Sequence, residues 1–177
     1  MKRQIVAVFI MILLGISFYF YVDNKTKPAI KTPAKYEQLL SHDLDNQYPT
    51  TPKEVIGLYQ EITKYLYSQK IKSEEIEPLI IMERKLFHSD LLDLNPKEVQ
   101  IIKAEADIKT NKEANIKIID FLLGESEYEI AEIAIVKAIQ YLSGSDNRYL
   151  KYYLKKENEQ WKILAWETVN KFTLPEE

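Results

Sequence analysis

Apolar and polar residues alternate with two different periods along the chain, and the change of period separates predicted helices from predicted strands. From residue 51 apolar residues recur every three or four positions, which indicates amphipathic helices. Thr51, Pro52 and Glu54 have the order of a helix start, with an N-cap, a proline in the first turn and a capping-box glutamate. Ser73 is predicted to cap a second helix, and Asn95 to open a third, shorter one that ends at about Lys103.

Beyond residue 115 the period falls to two, and β-branched and aromatic residues become frequent. The predicted strands are 115–123, 132–142, 148–156 and 160–169. The connections between them are short and rich in turn residues, which favours antiparallel hairpins. Helices followed by such strands predict an α+β fold, with two to three helices packed on a curved antiparallel sheet of about four strands.

The last predicted hairpin contains both tryptophans, five positions apart. A two-residue turn at residues 158–159 places Trp161 opposite Lys156 and Trp166 opposite Lys151, on different faces of the sheet. The face of Trp161 has the better apolar pattern and is assigned to the helices. The other face, named the partner face here, is predicted to carry Tyr149, Lys151, Tyr153, Leu164 and Trp166.

Two interpretations of the partner face are open. Its aromatic residues are either covered by long lysine side chains or by the chain's own stalk, as on many ordinary surfaces. Alternatively they contact a protein partner or a second copy of the chain, because tyrosine and tryptophan are enriched in interfaces.

An uncharged apolar run, residues 5–22, is long enough to cross a membrane as a helix. It lacks the small residues of a cleavage site, so a retained transmembrane anchor over residues 1–22 is favoured over a cleaved signal peptide. Residues 23–50 contain three prolines and are predicted to form a stalk, and residues 51–177 form the domain. Positive charges flank both ends of the anchor. The concentrated N-terminal charges favour a single pass through the cell membrane with the domain on the extracytoplasmic side.

Composition removes several classes of function. The formal net charge is −3, which argues against a nucleic-acid partner. The chain has no cysteine and two distant histidines, so neither disulfides nor a metal site are expected. None of the four glycines lies in a phosphate-binding loop, and no cofactor is expected.

Three segments, "TPKEVIGLYQEI", "LLDLNPKEV" and "YYLKKENEQWKILAWE", resemble those of a membrane-anchored bacterial branch that is similar to the nuclear transport factor 2-like superfamily. The resemblance covers roughly residues 50 to 170. It implies a cone of helices packed on a curved antiparallel sheet. Superfamily members include isomerases, dehydratases, transport adaptors and assembly modules, so the fold leaves the activity open.

Few residues are candidates for catalysis. Asp120 is predicted on the same strand face as Ile118 and Leu122, where burial would raise its pKa and make it a general base. His88 is predicted at the end of a helix, where its charge suits the helix dipole, and His42 lies in the stalk.

The sequence therefore favours a membrane-anchored extracytoplasmic scaffold that acts through protein–protein contact. The alternative is a domain with a pocket inside the cone, which binds a small ligand or catalyses an isomerase- or dehydratase-like reaction with Asp120 as its acid or base. The scaffold requires an exposed aromatic face, whereas the alternative requires a pocket with convergent polar groups.

Overall fold

Five helices precede the sheet in the part of the chain that the structure, a computed structural model, describes: residues 34–130 and 132–174. The helices are α1 (Lys35–Leu40), α2 (Pro52–Leu66), α3 (Ser73–Arg84), α4 (Ser89–Leu94) and α5 (Lys97–Glu113). The strands are β1 (Lys117–Leu123), β2 (Glu127–Ile130), β3 (Ile133–Ser143), β4 (Arg148–Glu157) and β5 (Gln160–Thr168). The predicted α+β class is confirmed.

The predicted anchor, residues 1–22, and the first part of the predicted stalk, residues 23–33, lie outside the described residues. Within the described ranges, no helix has the length and hydrophobicity needed to span a bilayer.

The helix starts follow local chemistry. The Thr51 hydroxyl accepts a hydrogen bond from the Glu54 backbone at 3.2 Å, and the Glu54 carboxylate accepts one from the Thr51 backbone at 3.0 Å, which completes the predicted capping box. Helix α3 has Lys72 at its N-cap, one residue before the predicted cap. Helix α5 continues to Glu113, ten residues beyond the predicted end at Lys103. Its length was missed because only Ala104 and Ile108 of this helix are buried.

The prediction that residues 34–50 belong to a stalk is wrong, because this segment packs on the domain. Leu39 in α1 and Leu44 after it are buried in the hydrophobic core. The Tyr48 hydroxyl donates a hydrogen bond of 2.9 Å to the backbone carbonyl of Trp161. The ordered domain therefore includes residues from 34 onwards rather than from 51.

The sheet is antiparallel and has the order β1-β3-β4-β5, while β2 pairs with the first residues of β3. The four predicted strands are present, and β2 is an addition to them. This strand was missed because it has only four residues, two of which are glutamates. One sheet face carries the buried core residues of β3, β4 and β5 against the helices: Ala134, Val136, Ala138, Tyr152, Leu154 and Ile163.

A β-bulge in β5 corrects the predicted register of the last hairpin. The pairing begins as predicted, with Trp161 opposite Lys156 and Ile163 opposite Leu154. The next pair is Ala165 with Tyr153, so Leu164 is an extra residue without a cross-strand partner. One extra residue reverses the alternation beyond it. Trp166 consequently lies opposite Tyr152 on the helix-facing side, and Glu167 takes the place opposite Lys151.

The C-terminal segment covers part of the sheet face remote from the helices. The Phe172 ring meets the Tyr149 ring edge-on, with centroids 5.3 Å apart. The Leu174 side chain closely approaches Gly124, where an added Cβ would lie 2.8 Å from it. This face is thus covered in part by the C-terminal segment, whereas the prediction named long lysine side chains or the stalk as its cover.

Candidate functional site

A cavity of about 190 Å³ lies between α2, α3, α5 and the end of β5. Its walls are aromatic and aliphatic, and one carboxyl group, that of Glu83, lines it from α3. A cavity of roughly 150 Å³ in another protein holds a benzene molecule, so this volume suits a small ligand. Neutral polar and charged side chains stand at its mouth, which gives it the mixed lining of a ligand site.

The Glu83 side chain is buried, with 4% of the residue exposed. Burial raises the pKa of Glu83 to about 8, because the charged form loses its hydration and no cation replaces it. Glu83 is therefore mainly a neutral carboxylic acid at pH 7. A buried acid in this form can donate a hydrogen bond as well as accept one.

The neighbouring hydroxyl of Thr63 is consistent with the acid form of Glu83. Its oxygen lies 2.8 Å from the Tyr59 carbonyl and 3.1 Å from Oε1 of Glu83, but the hydroxyl has only one hydrogen. A hydrogen bond donated by Thr63 would lower the pKa of Glu83. When Glu83 is protonated it can instead donate to Thr63, which then donates to the carbonyl. In the acid form, the Glu83 carboxyl, the Thr63 hydroxyl and the Tyr59 carbonyl therefore all have hydrogen-bond partners.

The position of Glu83 was overlooked in the sequence although its pattern is visible there. Helix α3 buries Ile76, Leu79 and Ile80 on one face, and Phe87 follows the helix on the same face. Glu83 falls within this apolar stripe, seven residues after Ile76. A carboxylate in the middle of an apolar stripe is the feature that indicates a buried acid.

Trp166 forms part of the cavity wall because the β-bulge turns it toward the helices. Its ring centroid lies 6.0 Å from that of Tyr59 and 6.0 Å from that of Phe87, and 6.4 Å from that of Tyr152. The residue is still 42% exposed, so it stands at the mouth rather than in the core. An aromatic ring in this place offers a surface on which a bound molecule can stack.

Phe87 is held in place by the edge of the sheet. Segment 86–88 pairs in parallel with β5 at Ile163. The Ile163 amide donates to the Leu86 carbonyl at 2.8 Å, and the His88 amide donates to the Ile163 carbonyl at 2.9 Å. These two bonds fix the direction of the Phe87 ring, which contacts Tyr59 and lines the cavity.

A buried chain of amides supports the aromatic wall from behind. Gln60 donates to the Tyr152 hydroxyl at 2.6 Å, and Gln140 donates to Gln60 at 2.8 Å. Arg148 donates to Gln140 at 3.3 Å. Gln60 and Gln140 are almost fully buried, and a satisfied network of this kind fixes the position of its members.

The mouth of the cavity is polar. Arg84 donates to the Gln100 side-chain oxygen at 2.9 Å and to the Asn95 carbonyl at 2.6 Å, which holds both residues beside the opening. Lys103 and Asp107 of α5 also line the cavity and are exposed. They lie one helical turn apart, so both side chains can reach the same bound molecule.

Asp120 does not meet the requirement for a general base. A bulge in β1 between Ile118 and Asp120 breaks the alternation from which its burial was predicted. Its side chain is 68% exposed and forms an ion pair with Lys64 at 2.9 Å. The hydrogen bond from Lys64 is the main reason that the pKa of Asp120 is lowered. The structure thus gives the role of perturbed acid to Glu83.

Neither histidine lines the cavity. His88 is buried and begins the short helix α4 as its N-cap, with Nδ1 accepting from the Asp90 backbone at 3.1 Å; it was predicted at a helix end. His42 is exposed and distant in sequence from His88. No group of three or more histidine, aspartate or glutamate side chains placed to hold a metal ion occurs among the residues that the structure describes.

The predicted partner face is smaller than expected. Trp166 is not on it, and Tyr149 is covered by Phe172. Tyr153 is half-buried, with its hydroxyl 2.7 Å from Glu167 and the Lys151 nitrogen 4.7 Å from its ring centroid. Leu164, the extra residue of the bulge, is half-buried. The five predicted residues therefore do not form one aromatic surface.

Comparison with known proteins gives a family but no function. Neither the curated proteins nor the solved structures contain a match to this chain. One family model, described as "Domain of unknown function (DUF6715)", matches residues 1–166. Because the match extends over most of the chain, the protein belongs to the DUF6715 family.

Proposed function

We propose that this domain binds a small molecule in the cavity beside Glu83, and that the part of the molecule inside the cavity is uncharged and carries a carbonyl group as hydrogen-bond acceptor. The observation that carries the proposal is the carboxyl of Glu83, which is buried in the wall of the cavity and whose pKa burial raises to about 8. A buried acid without a cation is costly to the fold, so its presence needs a reason. Donation of a hydrogen bond to a ligand is such a reason.

The local geometry provides a route for this donation. When no ligand is bound, the protonated carboxyl can donate its hydrogen to Thr63, whose hydroxyl oxygen lies 3.1 Å from Oε1. With the hydrogen on the other carboxyl oxygen, Oε2, the acid would donate a hydrogen bond to a carbonyl ligand, and Thr63 would turn its own hydrogen to Oε1. The Tyr59 carbonyl loses little in this exchange, because in helix α2 it also accepts the backbone hydrogen bond of the fourth residue after it.

If the domain is an enzyme, the same carboxyl proton of Glu83 would be transferred in the reaction. A group with a pKa of about 8 can release and recover a proton near neutral pH, which an isomerase- or dehydratase-like reaction requires. Binding alone requires only the donated hydrogen bond. Catalysis would also require a second acid or base in register with the reacting bond, so binding is the more economical proposal.

The proposal also includes the location of the domain at the cell membrane. Residues 5–22 would anchor the chain in the cell membrane and leave the domain on the extracytoplasmic side. Kinship with the nuclear transport factor 2-like superfamily is supported by the order of helices and antiparallel strands and by a cavity between them. In that architecture the cavity is the interior of the cone.

Protein–protein contact through the sheet face remote from the helices is the second candidate function. Leu122 is paired with Ile139, and Tyr141 lies two residues after Ile139 on the same strand, so both side chains are on that face. The observation in favour of this candidate is that Leu122 is 43% exposed and Tyr141 is 37% exposed. The displacement of Trp166 from this face and the covering of Tyr149 weaken this candidate. The cavity is therefore the better-supported site.

The pH dependence of binding tests the proposal. Butyramide, a small uncharged carbonyl compound, should bind the full chain in neutral detergent at pH values below 8 and about tenfold more weakly well above it. The reason is that ionised Glu83 loses its hydrogen and repels the carbonyl oxygen. Glu83→Gln should bind butyramide equally at both pH values, because its amide keeps a donor and does not titrate. NMR titration measures both affinities.

Glu77→Gln is the matched control, since Glu77 is an exposed glutamate of the same helix. It should retain the pH dependence of the unchanged protein. Binding that is independent of pH in the unchanged chain, or equally affected by both substitutions, would remove Glu83 from the site.

A further inference from the structure

The mouth of the cavity carries one cation and one anion that are not paired with each other or with other charges. Lys103 and Asp107 both line the cavity, one turn apart on α5. In the described part of the chain, neither residue takes part in an ion pair, whereas other lysines, such as Lys64 and Lys97, do. Two opposite charges are thus presented at the opening of a cavity whose deep end is neutral.

We infer that the ligand is a zwitterion of the α-amino-acid class with an uncharged, carbonyl-bearing side chain. Its carboxylate would contact Lys103 and its ammonium group Asp107, while the side chain enters the cavity and accepts the hydrogen of Glu83. This inference rests on the proposed function and adds the chemical class of the ligand to it. An α-amino acid carries both charges on one carbon, which suits opposite charges whose Cβ atoms are about 6 Å apart on a helix.

The mouth and the buried acid belong to one cavity. Tyr67 lines this cavity together with Asp107 and Glu83, and burial, followed by the charges of Asp107 and Glu83, raises the pKa of its phenol to about 12. One phenol group is therefore close to the anion at the mouth and to the acid inside. A cavity of about 190 Å³ accommodates the side chain of an amino acid, with the charged head at the opening.

The remaining polar groups at the mouth are suited to the same head group. The Gln100 side-chain oxygen already accepts from Arg84, which leaves its amide hydrogens available to a carboxylate. The Asn95 amide nitrogen already donates to the Leu91 carbonyl at 3.1 Å, which leaves its side-chain oxygen available to an ammonium group. Donors and acceptors are thus present beside the corresponding charges.

The alternative is that Lys103 and Asp107 are ordinary surface charges of an exposed helix. A binding experiment distinguishes the two explanations. The probes are L-glutamine and butyramide, which has the same uncharged amide without the two charges. L-glutamine should bind the full chain in neutral detergent more tightly than butyramide. Lys103→Gln and Asp107→Asn should each lower the affinity for L-glutamine about fivefold more than the affinity for butyramide, because exposed ion pairs contribute up to about 1 kcal/mol.

Two substitutions on the outer surface of the same helix, Glu105→Gln and Lys109→Gln, serve as controls and should change neither affinity. The inference fails if L-glutamine binds no more tightly than butyramide, or if Lys103→Gln and Asp107→Asn leave its affinity unchanged. In those cases butyramide binding that depends on Glu83 would still support the proposed function. The absence of binding by both probes would overturn the inference and the proposed function together.

Discussion

The free energy of unfolding should fall by roughly 4 kcal/mol between pH 4.5 and pH 8 because of Glu83 alone. In the unfolded chain this carboxyl ionises near its ordinary pKa of 4.5, whereas in the folded chain burial keeps the proton until about pH 8. Between these values unfolding releases a proton, so each increase in pH favours the unfolded state. The stabilisation is complete below pH 4.5 and is lost as the pH rises through 8.

Glu83→Gln isolates this contribution from other titrating groups. Its amide has nearly the same shape and cannot ionise, so the variant should equal the unchanged protein in acid and exceed it in stability above pH 8. The difference between the two unfolding curves, measured with denaturant at a series of pH values, gives the contribution of Glu83. A constant difference across this range would mean that the Glu83 carboxyl is ionised in the fold.

The second large effect concerns the two tryptophans. Trp161→Ala should lower the free energy of unfolding by about 3–5 kcal/mol, because large buried side chains leave a cavity when they are truncated. Trp161 is 7% exposed and belongs to the hydrophobic core. Trp166 is 42% exposed, so Trp166→Ala should cost only about 1 kcal/mol. Denaturant unfolding of both variants measures the two costs.

The loss of butyramide affinity should be larger for Trp166→Ala than for Trp161→Ala, which is the reverse of their order in stability. Trp166→Ala removes an aromatic wall of the cavity and should weaken butyramide binding, whereas a folded Trp161→Ala variant should bind it normally. Equal losses of stability in the two variants, with unchanged binding in both, would place Trp166 in the core and outside the site.

Most of the fold could be predicted because its elements have strong local patterns. Thr51, Pro52 and Glu54 determine the start of α2 through hydrogen bonds between near neighbours. The turn at residues 158–159 fixes the first four pairs of the last hairpin. Asn158 and Glu159 both have positive φ, as such a two-residue turn requires.

The bulge in β5 could not be predicted, and it changed the functional interpretation. Leu164 is apolar like its neighbours, so its lack of a partner leaves no mark in the sequence. The single extra residue moved Trp166 from the predicted partner face into the cavity wall. A bulge in β1 similarly changed the surroundings of Asp120. Alternation of side chains predicts a face only while the pairing is continuous.

The other differences between the predicted and the observed structure arise from packing between residues that are distant in sequence. Leu39 and Leu44 enter the core from a segment whose polar and proline-rich surroundings suggested a stalk. Conversely, Glu83 was visible in the sequence as an acid within an apolar stripe. Its importance depends on the cavity beside it, which three helices and a strand create together.

Carbon-13 NMR of the glutamate side-chain carboxyls in the full chain tests the central claim most directly. The resonance that disappears in Glu83→Gln reports the protonation of Glu83. Its titration midpoint should lie at about pH 8, and butyramide should raise it further, because the ligand binds the protonated form. A midpoint near 4.5, or one that butyramide leaves unchanged, would contradict a neutral acid that donates its hydrogen to a ligand.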